Sequence, residues 1–274
     1  LWNNTDFFAN SELARNYPDL HNSFRNRIQA AKKLVNEHIT YTLAVSRRVK
    51  ELFVDFGINP DKIAIVHQVP EQAQKLTSLN IRNRQPEHPL RFGYIGGVMP
   101  HKGAHVLVQA AQSIPKEKAE FLIYGFISQD YHRLLERLDV NHRIKFMGQY
   151  STDDLPSIAE QLDAIVLPSV WEDCAPLVIA EAIAMKLPVI ASRLGGFPDF
   201  VKHEINGKLY NHNSPSELTK ILWEVVENPG LISIWRSNCK LTHNFDDYLD
   251  HIIMTYEKLI AGNCPNVEEI ELIF

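Results

Sequence analysis

Two acidic side chains lie close together in residues 171–185, a stretch that is otherwise largely apolar. Asp173 follows an apolar run at 164–167 that predicts a buried strand, and Glu181 lies eight residues later. Small and aliphatic residues surround Glu181, which predicts a helix that ends before Pro188. Asp173 is therefore expected in a loop at the carboxyl end of a strand, with Glu181 about one and a half turns into the helix. The two carboxylates can therefore line one crevice.

The start of this helix is a second chemical feature. Pro176 suits the first helical position, where a missing N–H costs nothing. The backbone N–H groups around Leu177 and Val178 would then have no partner inside the helix and could bind an anion. Glu181 also has a simpler interpretation, as a carboxylate at the edge of the core that pairs with an Arg or a Lys. A lone acid in so apolar a helix is costly to bury without a role, which favours ligand binding.

A glycine-rich segment, GGVMPHKG at residues 96–103, follows a predicted strand at 91–95 and precedes a predicted helix. Glycines such as Gly96 and Gly97 let a phosphate approach the backbone. Lys102 would add a positive charge at the helix start. A plain tight turn is the alternative interpretation, since Gly-Gly turns are common.

Predicted strands and helices alternate regularly from residue 91 onward. Short apolar strands separated by helices are typical of an α/β fold with a doubly wound parallel sheet. Strands are predicted at 91–95, 120–124, 143–147, 163–167, 188–191 and 207–210, and helices at 104–112, 129–138, 152–161, 176–186 and 215–226.

The chain before residue 91 and after residue 245 is less regular. Ser46 has the form of an N-cap and Gly57 that of a C-cap for a helix between them. Residues 71–90 are polar and contain prolines, which predicts a linker. Further helices are predicted at 22–37, 47–56 and 246–261, and strands at 39–45 and 62–66.

Composition and charge exclude several classes of protein. The net charge of −5 argues against nucleic-acid binding, and no apolar run approaches the roughly 18 residues of a membrane span. Cys174, Cys239 and Cys264 are odd in number and scattered, which favours a reducing compartment and a cytoplasmic location. His101 and His105 have the spacing of a zinc pair, but a glycine lies between them at a predicted helix start. We therefore predict no metal site.

Together these motifs resemble those of the retaining, GT-B fold glycosyltransferases of family 4. The Glu-x7-Glu motif of that family matches Asp173 and Glu181, with Asp in place of the first Glu. In the glycine-rich segment Lys102 matches the family's Lys, whereas Gly97 stands where an Arg is expected. The flanking sequence also matches, at LPS (167–169), LPVIAS (187–192) and GGFPD (195–199).

The resemblance implies roles for individual residues. Asp173 would contact the donor sugar, Glu181 the ribose of the nucleotide and Lys102 the diphosphate, and these three are the candidate catalytic residues. The Asp side chain is one methylene shorter than Glu, which leaves Glu172 as a substitute. Segments after the second and third strands of the sheet would flank the base, largely through their backbone. The other nucleotide-binding candidates are Gly96, Gly97, Tyr124, Gly125, Gln149, Leu177 and Val178.

The resemblance also implies a division into domains. Residues 1–70 would be the remnant of an N-terminal acceptor domain, 71–90 the linker, and 91–243 the nucleotide-sugar-binding Rossmann-like domain. Residues 244–274 would form a helix that crosses back toward the first domain. Because the chain begins without Met and 70 residues are few for a domain, we expect a fragment that transfers no sugar by itself. Because its sheet would have an open edge, we expect the first domain to be loosely held, paired with a second copy or covered by the C-terminal helix.

The implied function is transfer of a hexose from a UDP- or GDP-sugar to a glycan or lipid-linked acceptor, with retained configuration. No cofactor is expected beyond the nucleotide sugar, and no metal, since the sequence lacks Asp-x-Asp. We expect a cytoplasmic protein with the option of peripheral association at the inner membrane face. One alternative is a nucleotide-sugar epimerase of GT-B type, which requires acids and His around an open anomeric site. Another is a non-catalytic sugar-nucleotide-binding module, which the departures at Asp173 and Gly97 favour.

Overall fold

The computed structural model of the chain describes residues 18–274. They divide into two compact units. One unit contains residues 18–67 and 251–273, and the other contains residues 68–250 and Phe274. In the part of the chain that the structure describes, no helix combines the length and apolar character of a membrane span.

The secondary structure elements are as follows, in chain order. The strands are β1 (Thr42–Ala44), β2 (Ile63–Ile65), β3 (Leu90–Ile95), β4 (Ala119–Tyr124), β5 (Ile144–Gly148), β6 (Ala164–Leu167), β7 (Val189–Ser192) and β8 (Gly207–Tyr210). The helices are α1 (Pro18–His38), α2 (Arg47–Phe56), α3 (Glu71–Thr77), α4 (Ala104–Ala111), α5 (Gln129–Leu138), α6 (Leu155–Ala159), α7 (Leu177–Ala184), α8 (Phe197–Phe200), α9 (Pro215–Glu227), α10 (Gly230–Ser237), α11 (Phe245–Ile260) and α12 (Val267–Ile270).

The larger unit is built on a six-stranded parallel sheet in the order β5-β4-β3-β6-β7-β8. This confirms the predicted α/β, Rossmann-like sheet. Side chains alternate between its faces: Ile165 and Leu167 of β6 enter one core cluster, and Ala164 and Val166 enter the other. Helices α3, α6, α7 and α8 cover the first face, and α4, α5, α9 and α10 cover the second.

The strand order reverses between β3 and β6. From β3 the chain proceeds to β4 on one side, and from β6 it proceeds to β7 on the other. The connections leaving the carboxyl ends of these two strands therefore diverge and leave a crevice, which is where open α/β sheets bind ligands.

The polar segment 71–90 differs from the prediction of a linker. It contains α3, whose Ala73 and Leu76 are fully buried in the same cluster as Ile179 of α7. The charged side chains of the short helix, Glu71 and Lys75, are exposed. Its polar composition therefore reflects a solvent-exposed face, and two apolar residues suffice to attach it.

In the smaller unit β1 and β2 form a two-stranded parallel sheet, each strand being shorter than predicted. The caps of α2 agree with the sequence: the Ser46 side chain accepts from Val49 N, and Gly57 ends the helix with φ +96°. Leu272 lies alongside β2, since its N–H donates to Ile65 and its carbonyl accepts from His67 N at 2.8 Å.

Candidate functional site

Two loops meet at the reversal of the sheet. We call residues 96–103, which follow β3, the glycine loop, and residues 168–176, which follow β6, the acid loop. β3 and β6 are neighbouring parallel strands, so both loops leave the same edge of the sheet. The sequence predicted a loop after each of these strands. The strand order shows in addition that the two loops are adjacent.

The two loops are joined through their backbones. The carbonyl of His101 accepts a hydrogen bond from Val170 N at 3.1 Å and another from Ser169 Oγ at 3.3 Å. Gly103 has φ +75°, and a Cβ at this position would lie 1.9 Å from the carbonyl oxygen of Pro168. The glycine is thus needed for backbone conformation and for the close approach of the acid loop.

Lys102 and Asp173 form an ion pair across the two loops, with Nζ 2.6 Å from Oδ1. The side chain of Asp173 is 17% exposed and that of Lys102 is 35% exposed. Both line a cavity of about 110 Å³, together with Gly96, Gly97 and Val178. Five of the predicted ligand-binding residues therefore lie around one cavity, and the two charged ones contact each other.

Gly97, at the position where the resemblance leads us to expect an Arg, has open space beside it, since no atom lies within 4 Å of a Cβ built there. Its carbonyl accepts a hydrogen bond from the Tyr94 hydroxyl at 2.7 Å. Tyr94 is buried, and burial raises the pKa of its hydroxyl well above the usual range. Tyr94 therefore acts as a neutral donor that holds the glycine loop.

Asp173 is held in place by a turn that the sequence did not connect with it. Its carbonyl accepts from Gly196 N at 2.7 Å. A Cβ on Gly195, which has φ +57°, would lie 2.3 Å from the same carbonyl oxygen and 2.7 Å from Asp173 N. The two glycines follow β7, the strand next to β6. A prediction that β6 and β7 are neighbours in the sheet would have linked this turn to the acid loop.

Glu181 lies on α7, partly buried, and burial raises the pKa of its carboxyl. Among residues 18–274, no Lys, Arg or His forms an ion pair with it. The alternative interpretation, in which Glu181 pairs with an Arg or a Lys at the edge of the core, is therefore wrong for the described residues. Tyr150 belongs to the segment after β5 that the resemblance places beside the base, and it lies near Glu181: burial raises the pKa of its hydroxyl, and Glu181 raises it further.

The two helix starts at the crevice differ. Helix α7 begins at Leu177, and no side chain caps it. Pro176 is therefore its N-cap and not, as the sequence predicted, its first helical residue. At α4, His105 N donates to the hydroxyl of Tyr131 at 3.2 Å, and His105 Nδ1 lies 2.9 Å from the same oxygen. At the start of α7 the N–H groups of Leu177 and Val178 therefore remain available to an anion, whereas at α4 the N–H of His105 is occupied.

His101 and His105, whose spacing matches that of a zinc pair, have different surroundings in the structure. Burial lowers the pKa of His105, whose ring is directed to Tyr131, and His101 is exposed. Over the described residues, no group of three or more His, Cys, Asp or Glu side chains is arranged to hold a metal ion.

The three candidates for base contacts lie on neighbouring strand ends but differ in their accessibility. Tyr124 is buried in the core, and its carbonyl accepts from Gly96 N at 3.2 Å. The Gly125 N–H donates to the Gly148 carbonyl at 2.7 Å, so it is committed to the sheet. Gln149 is exposed. Of the three, Gln149 therefore retains a side chain that can reach a ligand.

Comparison with known proteins identifies the family that this chain resembles. Residues 89–228 match the family model described as glycosyl transferases group 1. An uncharacterized glycosyltransferase of Methanocaldococcus jannaschii is 29% identical over 218 residues, 78% of this chain and 54% of the relative. A D-inositol 3-phosphate glycosyltransferase of Corynebacterium glutamicum is 27% identical over 203 residues, 67% of this chain and 48% of the relative. The chain thus spans about half the length of these curated relatives.

Solved structures share the fold. The Anabaena HepE protein in complex with UDP and glucose has a TM-score of 0.68 and 23% identity, covering 85% of this chain and 67% of that one. Sucrose-phosphate synthase of Thermosynechococcus elongatus has a TM-score of 0.70 and 19% identity, covering 96% and 67%. The family match extends over more than half of the chain and includes both loops of the crevice. The chain belongs to the glycosyl transferases group 1 family.

Proposed function

We propose that this chain is the donor-binding part of a retaining GT-B glycosyltransferase of family 4. It would transfer a hexose from a nucleoside-diphosphate sugar to a glycan or lipid-linked acceptor. The observation that carries the proposal is the convergence of Lys102, Asp173 and the uncapped start of α7 on one cavity. Glu181 follows within the same helix and carries a carboxylate without an ionic partner in the described chain.

Each group has a use in the transfer. Lys102 and the N–H groups of Leu177 and Val178 would bind the diphosphate and stabilise its charge as it leaves. Glu181 would accept hydrogen bonds from the ribose hydroxyls, and Asp173 would accept them from the sugar. The bond from the anomeric carbon to the diphosphate oxygen breaks, and the acceptor oxygen bonds to that carbon on the same face. The acceptor proton passes to the leaving diphosphate, so the protein contributes orientation and charge stabilisation.

The solved relatives indicate which donor to test first. Structures of the Anabaena HepE protein contain UDP, UDP and glucose, or UDP-glucose. We propose a uridine or guanosine diphosphate sugar and no metal requirement. Lys102 and the start of α7 would supply the positive charge that a divalent cation supplies elsewhere.

Calorimetric titration tests the proposal. The 274-residue chain is titrated with UDP, GDP and ADP, in buffer with EDTA and in buffer with Mn²⁺. We expect one of these diphosphates to bind, with the same affinity in both buffers. Absence of binding for all three would refute the donor site, and binding that requires Mn²⁺ would refute the metal-independent part.

A turnover assay separates the two alternatives. Consumption of UDP-N-acetylglucosamine without any acceptor would favour the epimerase. Donor binding by the full-length protein with no turnover in a panel of acceptors would favour a non-catalytic module.

A further inference from the structure

The ion pair between Lys102 and Asp173 is built on two rigid supports. Lys102 ends a turn whose His101 carbonyl holds the acid loop. Asp173 is fixed on the other side by Gly195 and Gly196. Because both backbones are held by contacts that do not involve the ion pair, the two charged groups meet without needing to order a loop.

The pair changes the charge of the cavity. Among the described residues that line it, Lys102 and Asp173 are the ones with formal charges, and the others are neutral. With Nζ and Oδ1 only 2.6 Å apart, the negative charge of Asp173 offsets part of the attraction that Lys102 exerts on a nearby phosphate. Gly97 adds no second cation. A diphosphate entering this cavity therefore meets a dipole and not a free lysine.

We propose that Asp173 is a specificity-determining residue that disfavours free nucleoside diphosphate by holding Lys102 in an ion pair. This inference rests on the proposed donor-binding function. When Lys102 turns to a phosphate, the Asp173 carboxylate loses its partner while only 17% exposed, which is costly. A donor sugar offers hydroxyl groups that replace the lost bond, whereas a free diphosphate offers none. The site then prefers the sugar-bearing donor and releases the diphosphate product.

The proposal predicts that a substitution of Asp173 increases the affinity for a free nucleoside diphosphate. Asp173→Asn keeps the shape of the side chain and removes the charge that competes for Lys102. We expect UDP, or GDP if that is the base bound, to bind about tenfold more tightly, which corresponds to about 1.4 kcal/mol. Affinity for UDP-glucose should stay within about threefold, because the lost sugar contact offsets the freed lysine. The ratio of the two dissociation constants is therefore the diagnostic quantity.

Two further variants establish the cause. Asp153→Asn removes one exposed negative charge from the turn after β5, outside the pair, and should change UDP affinity by less than about threefold. In a Lys102→Met background, Asp173→Asn should also gain less than about threefold, since the lysine is absent. Thermal unfolding of each variant confirms that the chain is folded.

The outcomes separate this inference from the proposed function. Unchanged or weaker UDP binding by Asp173→Asn, with measurable binding by the wild-type chain, would overturn the ion-pair proposal alone. An equal gain in Asp153→Asn, or a full gain in the Lys102→Met background, would do the same, because general charge repulsion would then explain it. No binding of UDP or GDP by the wild-type chain or any variant would overturn both proposals.

Discussion

Replacement of Glu181 by Gln should strengthen the fold and weaken the nucleotide site in the same variant. The carboxylate is partly buried on α7, has no ion-pair partner among residues 18–274, and has its pKa raised by burial. Gln has the same shape and no charge to desolvate. At pH 7 the substitution therefore removes an uncompensated charge from the edge of the core.

The size of the stability gain follows from this environment. A buried polar group without a matching partner costs about 1–3 kcal/mol in protein mutational data, and the partial exposure of Glu181 places it at the lower end. About 1 kcal/mol corresponds to a rise in melting temperature of roughly 2–4 °C for a unit of this size. Glu117→Gln is the control, because Glu117 is exposed and its replacement should leave the melting temperature almost unchanged.

The gain should depend on pH with a definite sign. The folded-state pKa of Glu181 lies above its unfolded value, so the folded state binds the proton more tightly. The contribution of Glu181 to stability is complete below the unfolded pKa and is lost as pH rises through the folded pKa. Melting temperatures of wild type and Glu181→Gln should therefore coincide near pH 4 and separate as pH rises toward 7.

Binding should change in the opposite direction. Loss of one charge-assisted hydrogen bond to the ribose costs about 1.5–3 kcal/mol, roughly ten- to a hundredfold in affinity. Titration with the bound diphosphate and with its nucleoside should show the same loss, because both carry the ribose. A melting temperature that falls at pH 7, or unchanged nucleotide affinity, would refute the role assigned to Glu181.

Three further predictions concern the loops. Lys102→Ala should weaken binding of the diphosphate most, the monophosphate less and the nucleoside least, as measured by titration; equal losses for all three would contradict a phosphate contact. Gly195→Ala places a Cβ 2.3 Å from the Asp173 carbonyl oxygen at φ +57°, and we expect it to lower stability by roughly 2 kcal/mol or more in urea unfolding. Gly148→Ala, with φ +83° and nothing within 4 Å, is the matched control and should cost only about 1 kcal/mol of backbone strain; equal costs would refute the contact. Gly97→Arg fills open space beside the cavity and should tighten diphosphate binding several-fold, with a steeper dependence on salt than the wild type shows; an unchanged affinity would place the phosphates elsewhere.

The sequence alone determined the alternation of strands and helices and most of the candidate residues of the site. Apolar runs too short for helices, separated by amphipathic segments, can bury themselves only as a sheet covered on both faces. Caps such as Ser46 and Gly57 act through bonds within a few residues, so they are visible locally. The sequence did not reveal the helix at residues 71–77 of the predicted linker, because a helix attached by two apolar residues has almost the composition of a linker.

The tertiary structure determined which ion-pair and hydrogen-bond partners the candidate groups have within the protein. Lys102 and Asp173 are 71 residues apart in the chain, and the adjacency of β3 and β6 brings them into an ion pair. Helix α4 and helix α7 both follow loops of the crevice, but Tyr131 from α5 occupies an N–H at the first and no side chain caps the second. Residue types and spacing show which groups can donate, accept or carry charge. Which of these groups remain available to a ligand depends on contacts between distant segments of the chain. Those contacts exist only once the sheet and its helices are packed together.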